Sequence, residues 1–223
     1  MKKLFNKYFI IGIGFLFAFL LLIVLLNFNV KEFGDNNSEV GLAFLNKKFV
    51  PNKTNETWND ISDLILYFSI LILFIFVVKG LLSLFDTGSI FKVEKDILVL
   101  GFLIVIIGIV WIGFDKILII NYRPFYEHEG SFPSTHVLLV VFMSLYSFLY
   151  VKRNDEFKGY VIPVGIVGGI SSLIVFIGRI KSGNHFFTDC LGGIILALAL
   201  FFIGYGILKF FDKEPKIEKS SEE

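Results

Sequence analysis

Ile97-Leu-Val-Leu-Gly-Phe-Leu-Ile-Val-Ile-Ile-Gly-Ile-Val-Trp-Ile-Gly-Phe114 runs without a charged side chain between Asp96 and Asp115. An apolar run of about 18 residues or more reads as a bilayer span, because roughly 20 helical residues cross about 30 Å of hydrocarbon. Working outward, this run belongs to a span near 96–119, and others lie near 8–27, 62–84, 135–151, 160–178 and 186–211. Backbone amides in lipid must be satisfied within their own segment, so all six are expected to be helices. The 223 residues are 55% hydrophobic, with 28 phenylalanines, and the mean hydropathy is +0.75. A soluble domain of this size would not carry that much apolar surface. The expected fold is therefore all-α, a six-transmembrane-helix bundle forming one domain over 1–223.

A net charge of +1 gives no reason to expect nucleic-acid binding. The single cysteine, Cys190, precludes an internal disulfide and reads as a small buried side chain. The first span is longer than a signal-peptide core, and Asn27-Phe-Asn-Val30 offers no small-residue cleavage site, so a retained anchor is expected. Pro163, Gly165, Gly168, Gly169, Ser171 and Ser172 in the fifth span read as tight helix packing.

Lys and Arg gather at Lys2, Lys3 and Lys7, at Lys79, Lys92 and Lys95, at Lys152, Arg153 and Lys158, and from Lys209 onward. This bias places both termini in the cytoplasm. It makes 28–61 an extracytoplasmic loop and 212–223 a solvated cytoplasmic tail. Asn36, Asn52 and Asn55 match glycosylation acceptors, a pattern too short to carry weight.

Ionisable side chains near the membrane are costly and mark function when they cluster. Here they collect in Lys116–Pro124, in Phe132–His136 and in Gly178–Asp189. Loops after the third and fifth spans fall on one side of the membrane whichever way the chain faces, so these stretches can share one pocket. Lys116 and Arg123 supply cationic donors, and a guanidinium can grip two oxygens of a phosphate. Ser134 before an apolar run is placed as a helix N-cap, and the amides after it would face an anion. His185 and Asp189 are spaced so that, on a helix, the carboxylate can hold one ring nitrogen while the other presents its lone pair. That is the arrangement of an oriented nucleophile. His136 could move the proton that a departing alkoxide requires. No stretch has the carboxylate density of a magnesium site or a His/Cys set suited to zinc, so neither metal nor cofactor is expected.

Together the stretches resemble the signature of the type-2 phosphatidic acid phosphatase superfamily, which includes bacterial phosphatidylglycerophosphate and undecaprenyl diphosphate phosphatases. That signature runs Lys, six residues, Arg-Pro; then Pro-Ser-Gly-His; then Ser-Arg, five residues, His, three residues, Asp. Lys116 to Arg123-Pro124, Pro133-Ser-Thr-His136, and Gly178-Arg179 through His185 to Asp189 stand in these places. The resemblance implies a membrane lipid phosphate phosphatase, and with the termini in the cytoplasm its site is expected at the extracytoplasmic face. By the same likeness His185 becomes the phosphohistidine, Asp189 orients it and His136 protonates the leaving oxygen. Lys116, Arg123, Ser134, Thr135 and Arg179 would hold the phosphoryl oxygens. Thr135 departs from the pattern's Gly and Gly178 from its Ser. A lipid phosphotransferase using the same intermediate and a non-catalytic lipid-binding protein are the rival readings. Glu127, His128 and Glu129 are candidates for head-group selection.

Overall fold

The computed structural model describes residues 5–35, 37–125 and 129–212. Among them six helical segments are long and apolar enough to cross a membrane, ending within a few residues of the expected bounds except at two helix starts. The helices are α1 (Lys7–Leu25), α3 (Glu56–Thr87), α4 (Lys95–Ile112), α5 (Thr135–Arg153), α6 (Val161–Lys181) and α7 (Phe187–Phe211). A hairpin of β1 (Lys31–Phe33) and β2 (Ser38–Val40), then the short α2 (Ala43–Asn46), occupy the loop between α1 and α3. Glu127, His128, the Asn36 acceptor and tail residues 213–223 lie outside the described residues.

α5 and α7 form the centre, with half of each span buried; the other four spans are 11–28% buried. Their outward faces carry Phe17, Phe74, Val105 and Ile166, all exposed. So continuous an apolar exterior suits lipid rather than water. Small residues let the central helices meet closely. A Cβ on Gly193 of α7 would lie 2.7 Å from the Ser134 carbonyl oxygen at the start of α5. This contact sets the two helix beginnings side by side.

α3 starts six residues before the expected 62, because Asn55 caps it by accepting from the Trp58 amide at 3.2 Å. The added residues carry Asn59, which with Asp63, just inside the expected span, bonds into the bundle. At the other end of α4 a π-helical turn, Gly113–Ile117, carries Asp115 and Lys116. A 3₁₀ stretch, Asp155–Tyr160, leads into α6.

Asn6 donates to the Gly206 carbonyl at 2.7 Å, so the start of α1 lies beside the end of α7. At that end Arg153 closes the bundle, donating to Asp96 at 2.8 Å and to both Asp212 oxygens at 2.8 Å. Hydrogen bonding from Arg153 pulls the Asp212 carboxyl down to about 2. A folded-state value below the unfolded ~3.9 gives stability that is present above that value and lost as pH falls toward about 2. Arg153→Ala is expected to lower the melting temperature in detergent by a few degrees, on the order of 1–2 kcal/mol. Melting curves should show the gap from wild type closing as pH drops from about 4 toward 2.

Candidate active site

The three polar stretches meet at the opposite end of the bundle, where α7 begins. The chain between α4 and α5 folds back on itself there. The Ser131 amide donates to the Asn121 carbonyl at 2.9 Å and the Arg123 amide to the Glu129 carbonyl at 3.1 Å. The loop hairpin braces this ladder: Ser38 Oγ donates to the Arg123 carbonyl at 2.8 Å. Gly34, at φ +75°, packs against Pro124 so closely that a Cβ would overlap its carbonyl.

His185 is 3% exposed and sits in the turn between α6 and α7. Its Nδ1 lies 2.9 Å from the Ser131 carbonyl oxygen. A carbonyl can only accept, so Nδ1 carries the hydrogen and Nε2 holds the lone pair. Nε2 is buried with no hydrogen-bond partner. Burial first, then the charges of Arg179 and Arg123, hold the imidazole's proton affinity well below the ordinary histidine range.

Asp189 does not contact His185 directly. Its Oδ2 is 3.9 Å from Nδ1, beyond hydrogen-bond reach. The expected shared helix face fails because α7 begins only at Phe187, leaving His185 outside the helix. Asp189 folds back to accept from the Phe186 amide at 2.8 Å, capping the helix. It also accepts from Ser131 Oγ at 2.5 Å and from Asn121 Nδ2 at 3.1 Å. The carboxylate thus holds Ser131, whose carbonyl, with its hydroxyl oxygen also 3.2 Å from Nδ1, holds the imidazole.

Arg179, 2% exposed, donates to Asn59 at 3.0 Å and to Asp63 at 3.1 Å. The same Asp63 oxygen is 3.0 Å from His136 Nε2. Asn59, Asp63, His136, Arg179, Asn184, Arg123 and Glu129 line a cleft of about 430 Å³. His185 opens instead onto a smaller cavity with Thr135, Pro133 and Trp111, and Arg123 borders both spaces. Arg123 pairs with Glu129 at 2.8 Å and donates to Asn184 at 3.3 Å.

Lys116 is not brought into either space. Its side chain is 73% exposed and bonds Asp115 at 2.8 Å, because the π-helical turn rotates it outward at the rim. Lys116→Ala is expected to cost less than about tenfold in kcat/KM, a rim charge rather than an inner one; steady-state assays comparing it with Arg179→Ala check this.

Ser134 takes the N-cap position but its side chain makes no capping bond. Thr135 begins α5 with right-handed helical backbone, so the departure from Gly brings no left-handed strain. Gly178 has a packing reason: a Cβ there would lie 2.3 Å from Ser62 Oγ of α3. Ser131, Asn121, Asn184, Asn59 and Asp63 were not singled out from sequence. Asn121 and Asn184 lie inside the polar stretches, and Asp63 heads an apolar run, itself a signal.

Comparisons with known proteins bear on the fold and the family. Residues 115–212 match the PAP2 superfamily. Phosphatidylglycerophosphatase B of Bacillus subtilis (strain 168) is 34% identical over 92 residues, 41% of this chain and 43% of that protein. The match therefore spans less than half the length of that curated relative. A crystal structure described as the first transmembrane PAP2 type phosphatidylglycerolphosphate phosphatase, also from Bacillus subtilis, superposes with a TM-score of 0.57. It is 22% identical and the overlay covers 93% of this chain and 98% of that one, extending the shared fold over the whole bundle. The chain is a multi-pass membrane protein in which residues 115–212 match the PAP2 superfamily.

Proposed function

We propose that this protein hydrolyses a phosphomonoester or diphosphate on a membrane lipid through a phosphohistidine at His185, without a metal. The observation that carries the reading is the buried, partnerless Nε2 of His185, its tautomer set by the Ser131 carbonyl. In the first half-reaction Nε2 attacks phosphorus, the P–O bond to the lipid breaks, and His136 gives a proton to the departing oxygen. Water then attacks the phosphohistidine, the N–P bond breaks and His136 takes the water's proton. Arg123 and Arg179, with amides at the start of α5, hold the charge on the transferring group. Among the described residues no three His, Cys, Asp or Glu side chains converge to hold a metal.

The named relatives make phosphatidylglycerophosphate the first substrate to try, against phosphatidate, isoprenyl diphosphates and lipid A phosphates. Phosphate release across that panel from purified protein tests the reading. Label appearing in a second lipid in place of inorganic phosphate would favour transfer over hydrolysis. No release from any of the panel would sink both.

The site is read as extracytoplasmic because Lys79, Lys92, Lys95, Lys152 and Lys158 lie toward the end that holds the start of α1. A cysteine placed at exposed Lys47 is expected to react with a membrane-impermeant maleimide in intact cells, and one at exposed Lys92 only after lysis. Cys190 is fully buried and leaves the background low. The reverse labelling pattern would invert the orientation.

A further inference from the structure

We propose that Asp63 is a positioning residue that holds His136 as the proton donor to the leaving oxygen; this rests on the phosphatase reading above. Asp63 lies on α3, outside all three polar stretches. One of its oxygens serves His136 Nε2 at 3.0 Å and Arg179 Nη1 at 3.1 Å. The other accepts from Asn59 Nδ2 at 2.9 Å. Asn59 in turn accepts from Arg179 at 3.0 Å and from Asn184 at 2.7 Å, so the carboxylate's place is set from three sides.

An ionised carboxylate can only accept, so the contact puts a hydrogen on Nε2 and leaves Nδ1 as the ring nitrogen for a substrate oxygen. A ring about to deliver a proton must at that moment carry one on each nitrogen. Beside Arg179 such a cation is tolerable only with opposite charge at hand, and Asp63 supplies it against Nε2. The Nδ1 proton passes to the leaving oxygen as the bond from phosphorus to that oxygen breaks. His136 is then neutral with its Nε2 hydrogen still on Asp63. When water opens the phosphohistidine, Nδ1 takes the proton back, and Asp63 is never protonated. A carboxylate serving only to brace Arg179 would instead affect the grip on phosphate for every substrate alike.

Leaving-group dependence separates the two. Wild type, Asp63→Asn and His136→Asn are assayed in detergent on a long-chain alkyl phosphate and on 4-nitrophenyl phosphate, whose leaving group departs without a proton. General-acid help is worth about 10²–10⁴-fold. Asp63→Asn is therefore expected to lose at least about 10²-fold in the single-turnover rate of phosphohistidine formation, the half-reaction that expels the leaving group, on the alkyl ester and less than about tenfold on the aryl ester. KM should stay within about threefold, and the Asp63→Asn/His136→Asn pair should be no worse than either single change. Should Asp63→Asn fold poorly, Asp63→Glu, which keeps the charge but moves it, is expected to show the same selectivity at smaller size. Equal losses on both esters, or a change confined to KM, overturn the role of Asp63 while leaving the phosphatase reading intact. Absence of activity in wild type, or His185→Ala matching it, removes that reading and this one with it.

Discussion

His185→Ala is expected to lose at least about 10⁴-fold in phosphate release and to accumulate no acid-labile phosphoprotein with labelled substrate. Wild type quenched in the steady state should carry that label. The loss is large because among the described residues no second imidazole lines the small cavity beside Nε2, and Arg123 and Arg179 supply charge but no nucleophile. The same surroundings predict a pH effect. With its proton affinity held well below the ordinary 6.5, His185 stays a free base as pH falls through that value, so its limb of the kcat/KM profile lies at lower pH. Stability moves the other way. Below about 6.5 the unfolded chain binds a proton that the folded imidazole refuses, so stability falls as pH drops further. An acid limb centred on the ordinary imidazole value would show that the ring is not buried in this way.

The second large effect belongs to Asp189, and it should strike activity and stability together. Its two oxygens receive Ser131 Oγ, Asn121 Nδ2 and the Phe186 amide, all donors, in a site with no exposure. Asn at this position would put an NH₂ group against at least one of them, leaving a buried donor unsatisfied. Asp189→Asn is expected to cost about 2–4 kcal/mol of stability. It should also cost on the order of 10²–10³-fold in kcat, since the Ser131 carbonyl that sets the His185 tautomer would shift. Ser131→Ala removes one donor to Asp189 and the longer, 3.2 Å contact to His185 Nδ1 but keeps the closer carbonyl, so its loss should be nearer tenfold. Thermal melting and kcat on the same preparations check both. If Ser131→Ala were as damaging as Asp189→Asn, the hydroxyl rather than the carbonyl would be what holds the imidazole.

Long apolar runs made the six spans legible, and topological parity made it legible that the three polar stretches share one end. Both readings need only the length of a run and the count of crossings. The start of α3 was less legible, because Asn59 reads as the end of a polar loop and Asp63 as the mere edge of a span until their partner on α6 was in place. The Lys116 assignment followed motif spacing, whereas the π-helical turn that carries the residue rotates it outward. Spacing along a chain does not register such a turn.

His185 and Asp189 show the division most sharply. Residue types and their order were enough to nominate an imidazole, a carboxylate and a set of cations for one boundary of a helical membrane bundle. Which group touches which was decided by packing. Asp189 is drawn to the amide and hydroxyl donors at the opening of α7, so the imidazole falls to a backbone carbonyl, a group every residue possesses and no side-chain pattern marks. The chemistry available was written in the side chains; its wiring came from where helix ends left backbone donors and acceptors in need of partners.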